Sequence, residues 1–99
     1  MTLSGDFGKP RPALIIQANQ FANTDTVTVL LISRTLVDAP LIRIDVDPRL
    51  ENGLRKPSQI MIDKTMTLKR ERVGQVLGQL DDGAMLSVSR AFAVFVGLA

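Results

Sequence analysis

Apolar residues along the first 80 positions come in short, strand-sized runs, and only the last 20 positions take on a helical period. The cleanest run is "LIRIDVD" at 41–47. Strict alternation there turns Ile42, Ile44 and Val46 to a core and Arg43, Asp45 and Asp47 to water. "ALIIQ" at 13–17 reads as a short buried strand. "TVTVLLIS" at 26–33 is rich in β-branched residues and reads as a second, with the turn-rich "ANQFANTD" making the two a hairpin. "SQIMIDKTMT" at 58–67 is another strand, with Ile60 and Ile62 inward and Gln59, Met61 and Asp63 outward. "RVGQVLGQL" at 72–80 is read as a further strand that its glycines weaken. Asp81 is a natural N-cap for a helix to about Gly97, with Asp82 favourable in its first turn. On that helix Met85, Val88, Phe92 and Phe95 share one face, while Gly83, Ser87 and Arg90 mark a polar stripe. Leu86, Val94 and Val96 widen the apolar arc beyond one face, which implies a second buried contact such as a dimer partner.

The connections complete the outline. "LSGDFGKPRP" at 3–12 and "PRLENGLRKP" at 48–57 are long loops, the second with Asn52-Gly53 as its tightest turn. About five short strands, two loops and one terminal helix make a single α+β domain over residues 1–99, mostly β, built on a small, strongly bent antiparallel sheet. No apolar stretch reaches the roughly 18 residues of a membrane span, and no basic-then-apolar leader is visible.

Composition narrows the chemistry more than it narrows the fold. The chain has no histidine, cysteine, tryptophan or tyrosine. That removes thiolate metal sites, disulfides, cysteine nucleophiles and histidine-based triads, and it fits the cytoplasm. No cofactor or metal is called for. Proton transfer falls to carboxylates, lysines, arginines, hydroxyls or the substrate. A net charge of +2 is weak support for a nucleic-acid partner, and four phenylalanines are too few for extensive base stacking.

One stretch asks for a chemical explanation. In "GKPRPALI" two prolines bracket Arg11 at the lip of a buried strand. A guanidinium is planar, keeps its charge and donates two parallel hydrogen bonds to phosphate. Prolines on both sides reduce the freedom lost when it engages. A stiff turn with no chemistry is the plainer account of Pro-Arg-Pro taken alone.

Four segments in order, "GKPRPALIIQ", "VTVLLISR", "GLRKPSQIMIDK" and "RVGQVLGQLDD" followed by the helix, resemble the MazF/PemK family over nearly the whole chain. The resemblance implies an SH3-like barrel of the CcdB/PemK type. It also implies a homodimer and an endoribonuclease toxin that cuts single-stranded RNA and is neutralised by a cognate antitoxin. Arg11 then takes the place of the family's catalytic arginine, and Ser33 that of its usual threonine. Asp6 falls in the loop where some members carry a glutamate, and Asp63 matches an aspartate used by others. Met61 replaces an arginine that one branch needs. The family's first strand is expected to be represented only by Met1-Thr2-Leu3, which would leave a sheet edge exposed.

In this chemistry the 2′-hydroxyl attacks phosphorus, with no metal required. Arg11 supplies positive charge for the phosphorane, Ser33 bonds a phosphate oxygen, and Asp6 or Asp63 takes the proton. Lys9, Arg34, Arg55, Lys56, Lys64 and Lys69 are the cations available to the RNA backbone. Two other readings stay open: a non-catalytic gyrase poison of the CcdB type, which shares the barrel, and a degenerate member that only binds its antitoxin.

Overall fold

The computed structural model describes residues 2–4 and 10–99, with side chains from Arg11 onward. The strands are β1 (Thr2–Ser4), β2 (Pro10–Ile15), β3 (Thr26–Ser33), β4 (Arg43–Val46) and β5 (Ser58–Lys69), followed by helix α1 (Asp82–Phe95). They form one antiparallel sheet in the order β1-β2-β3-β5-β4. Short 3-10 turns at Asn19–Phe21 and Arg70–Arg72 join its parts.

Alternation splits the side chains between two faces. Leu14, Ile16, Leu30, Ile32, Ile42, Ile44, Val46, Ile60 and Ile62 pack on one face against Val88, Ala91 and Phe92 of α1. Ala13, Ile15, Val27, Val29, Leu31 and Leu68 gather on the other with Val73. Asp81 caps α1 as expected, accepting the Ala84 amide at 2.7 Å. The helix stops at Phe95, short of the expected end, because Gly97 turns the chain at φ +80°. Phe95 was expected on the buried face but is half exposed, and so are Leu86, Val94 and Val96.

Two features bend the sheet. β2 changes partner along its length: Pro10, Arg11 and Pro12 lie opposite Ser4, Leu3 and Thr2 of β1, whereas Ala13, Leu14 and Ile15 lie opposite Leu31, Leu30 and Val29 of β3. The β3–β5 ladder also slips. Between the pairs Ile32–Ile60 and Leu30–Thr65, β3 advances two residues while β5 advances five. Such a slip concentrates twist and lets β5 run on to Lys69, two residues beyond the expected end.

Pro-Arg-Pro, expected in a loop, belongs to β2. Leu41, read as the start of a strand, is 83% exposed, because a turn on the Ala39 carbonyl delays β4 to Arg43. "RVGQVLGQL" is no strand: apart from the turn at 70–72 and a lone bridge at Val73, it runs irregularly to Leu80. It is a strap laid against the 48–57 loop, with the Gln79 amide donating to the Glu51 carbonyl at 2.7 Å.

The strap explains its glycine. A Cβ on Gly78 would stand 2.2 Å from the Glu51 carbonyl oxygen, and one on Gly53, at φ +69°, would stand 2.3 Å from that of Leu77. Two backbones meet where neither tolerates a side chain. Gly78→Ala is therefore expected to destabilise the fold by roughly 1–3 kcal/mol. Urea unfolding checks this, with Gly83→Ala, which meets only the Asp81 side chain at 3.3 Å, as the mild control.

Candidate active site

The amide directions of β2 explain what Pro-Arg-Pro does. Backbone N–H groups alternate sides along a strand, and the Ile16 amide donates across to the Thr28 carbonyl of β3 at 3.1 Å. The amides of positions 14, 12 and 10 therefore aim at β3 too. At 12 and 10 those positions are prolines, which have no N–H. The ladder between β2 and β3 stops at Ala13–Leu31 for want of donors. Beyond it the two strands part, and the seam opens into a cleft.

That cleft, about 340 Å³, is lined by Arg11, Pro12, Ile32, Ser33, Arg34, Thr35 and Met61. Extending the Ala13–Leu31 register by two residues sets Arg11 level with Ser33. Parity then puts both side chains on the face away from α1. Ser33 in turn lies opposite Gln59 of β5, and Gln59 opposite Asp45 of β4. A polar row thus crosses the sheet: Arg11, Ser33, Gln59, Asp45.

Ser33 is locally engaged. Its Oγ accepts the Thr35 amide at 3.0 Å and donates to the Thr35 carbonyl at 3.2 Å. The accepted bond fixes the hydroxyl, and the longer donated bond can be exchanged for one to a ligand. Arg34 and Thr35 follow directly, so the turn that orients Ser33 also brings a cation and a second hydroxyl to the rim.

A second cleft of about 340 Å³ shares Pro12 and Arg34 with the first and continues past Gly53, Leu54, Arg55, Lys56, Ser58 and Leu77. Arg34 and the adjacent pair Arg55 and Lys56, distant from it in sequence, thus line one basic groove leading from the Arg11–Ser33 cleft. The groove rests on the Gly53–Gly78 crossing.

The remaining expected residues are placed differently. Asp6 and Lys9 lie outside the described residues. Asp63 does not line either cleft; its Oδ2 stands 3.9 Å from Lys64 Nζ. Lys69 lies opposite Thr26, seven residues along β3 from Ser33, or about 23 Å. It borders a roomier open cleft of about 590 Å³ with Asn23, Thr24, Arg70 and Glu71. That cleft contains neither Arg11 nor Ser33, and its Arg70 is already bonded to the Thr24 carbonyl at 2.8 Å.

Gln59 was expected to face water and is only 5% exposed. Its Oε1 accepts the Val37 amide at 3.0 Å, and its Nε2 donates to the Val37 carbonyl at 3.0 Å and to Asp45 Oδ1 at 2.8 Å. One amide thereby ties the 34–42 connection, which carries the rim residues Arg34 and Thr35, onto the sheet. Thr35 and Gln59 are the site residues that sequence reading missed. The shared parity of Ser33, Gln59 and Asp45 becomes visible only once the register is known.

Comparison with known proteins agrees with this architecture. The model of the PemK-like, MazF-like toxins of type II toxin-antitoxin systems matches residues 2–96. Over 92 residues, 93% of this chain and 84% of the relative, the sequence is 42% identical to a probable endoribonuclease MazF of Mycolicibacterium smegmatis. The Mycobacterium tuberculosis toxin MazF-mt6 superposes with a TM-score of 0.83 at 25% identity, covering 99% of this chain and 97% of that one. An endoribonuclease from a mycobacterial species, solved with its cognate antitoxin, shares the fold at a TM-score of 0.78 and 23% identity, covering 99% of this chain and 92% of that one. The protein belongs to the PemK/MazF family of type II toxins. Among the described residues no helix is long and apolar enough to cross a membrane.

Replacing Gln59 with methionine, similar in length and apolar, strands the Val37 amide and carbonyl and removes the bond to Asp45. A loss of roughly 1–3 kcal/mol is expected in denaturant unfolding. Faster hydrogen exchange of the Thr35 and Val37 amides should accompany it.

Proposed function

We propose that this protein is an endoribonuclease toxin that cleaves single-stranded RNA in the cytoplasm and is neutralised by a cognate antitoxin. The observation that carries this reading is that Arg11 and Ser33 share one cleft, opened by the missing proline amides, with a groove of Arg34, Arg55 and Lys56 leading out of it.

In the proposed reaction the RNA backbone follows the basic groove and sets one phosphodiester beside Arg11. The 2′-oxygen attacks phosphorus, the bond to the 5′-oxygen breaks, and a cyclic phosphate and a free 5′-hydroxyl result. Arg11 stabilises the charge that builds on the phosphorane oxygens, where a preorganised donor acts most strongly. Ser33 exchanges its bond to the Thr35 carbonyl for one to a non-bridging oxygen, while the Thr35 amide keeps it aligned. The 2′-hydroxyl proton passes to a carboxylate, and the departing 5′-oxygen takes up a proton from solvent. Asp6 and Asp63 are the two that sequence reading brings forward.

Leu86, Val94, Phe95, Val96 and Leu98, along α1 and just past its end, stay exposed within the described chain. We assign this apolar surface to a homodimer. The antitoxin is assigned by family membership and by the complex formed by the mycobacterial neighbour.

Arg11→Ala is expected to cut kcat by about 10²–10³ while the domain stays folded, read by primer extension on a long RNA and by thermal unfolding. A chelator should leave wild-type cleavage unchanged. Intact RNA after incubation with folded wild-type protein would count against the reading, and altered DNA supercoiling in its place would point to a gyrase poison. Arg55→Ala and Lys56→Ala should each weaken RNA binding and reduce the slope of log affinity against log salt by about 0.7.

A further inference from the structure

Arg43 sits at the start of β4, opposite Met61 of β5. Alternation was expected to turn it to water. Instead its Nε and Nη1 are buried and have no hydrogen-bond partner. Asp63, two residues beyond Met61, is in a similar state: its side chain is 25% exposed and its Oδ1 is buried without a partner. Residues two apart on a strand share a face, and diagonal cross-strand neighbours stand about 7–8 Å apart. Arg43 and Asp63 are such neighbours. Yet among the described residues the ion pair formed by Asp63 is with Lys64, not with Arg43.

A buried guanidinium nitrogen and a buried carboxylate oxygen, both unpaired, are costly to keep in a folded chain. The two stand diagonally across β4 and β5 with no ion pair between them, behind the wall of the Arg11–Ser33 cleft that Met61, the residue between them, lines. The missing partner must accept from an arginine and donate to a carboxylate at the same time. A phosphate meets only the first demand and is repelled by Asp63. The edge of a nucleobase meets both, since each base carries an acceptor next to an N–H donor.

We infer that Arg43 and Asp63 form a nucleobase-reading subsite, with Met61 between them, that recognises a base next to the bond cut at Arg11. This rests on the ribonuclease reading and gives it a specificity element. Asp63 then serves recognition rather than proton transfer. Arg43 is a substrate-binding residue that meets the base, not the reacting phosphate.

The test pairs Arg43→Met with Asp63→Asn in the full-length chain, using mapped cleavage of a randomised single-stranded RNA pool and thermal unfolding. Arg43→Met removes two buried nitrogens that lack hydrogen-bond partners, so the variant should be at least as stable as wild type. Base discrimination at one position beside the cut should fall roughly five- to hundredfold, with cutting retained at other sequences. Asp63→Asn, which exchanges an acceptor for a mixed donor and acceptor, should change the preferred base at that same position.

An unchanged cleavage profile in both variants would overturn the inference. So would a uniform loss across all sequences, which marks a phosphate contact, or a dead but folded Asp63→Asn, which marks a general base. Weaker antitoxin binding with an unchanged profile would also overturn it, by assigning the pair to a protein partner. If Arg43→Met fails to fold, Asp63→Asn decides alone. Failure of the ribonuclease reading looks different, because wild type would then leave the pool intact.

Discussion

Everything the site does depends on two hydrogen atoms that β2 lacks. Were positions 10 and 12 ordinary residues, their amides would face β3 and extend the ladder past Ala13–Leu31, closing the seam at Ser33. Proline withholds those donors while keeping the chain extended, so the strand remains a strand yet lets go of one neighbour. The other edge is unaffected: positions 10–12 still pair with β1. Arg11 sits between the two prolines, on the face that the opening exposes. The clamp around the arginine and the cleft beside it thus have one cause. Stiffness is the lesser part of what these prolines contribute.

The cleft walls are held from beneath by the buried amide of Gln59. Gln59 satisfies both backbone groups of Val37 and one oxygen of Asp45, so the chain after Ser33 has little freedom to drift. On the far side Gly53, pinned where its backbone meets that of Leu77, lines the same groove as Arg55 and Lys56. The rim residues are mobile types on constrained backbones, an economical way to present cations to a flexible strand while limiting the order lost on binding.

Much of the fold was legible because alternation is a local signal. β3, β4 and β5 followed from it to within a few residues, and the Asp81 cap marked the helix start. The errors have identifiable causes. Residues 72–80 alternate well enough for a strand, but Gly78 is there for a backbone crossing with a loop 25 positions earlier. Period alone cannot tell a strand from a strap. Gln59 and Arg43 alternate with apolar neighbours and so read as solvent-facing. That rule fails in a bent sheet, whose second face is also partly covered. Ser33 was found through its family position. The reason it matters, its register with Arg11 across an unzipped seam, follows from pairing and not from composition.

The two faces of the sheet have separate occupations. α1 covers one, with Leu86 and Val94 exposed along it and Leu98 just past its end; the row from Arg11 to Asp45 lies on the other. Self-association through the helix would therefore leave each subunit's furrow open to solvent. On that arrangement dimerisation alone leaves the furrow usable, and an inhibitor of it acts from the opposite side.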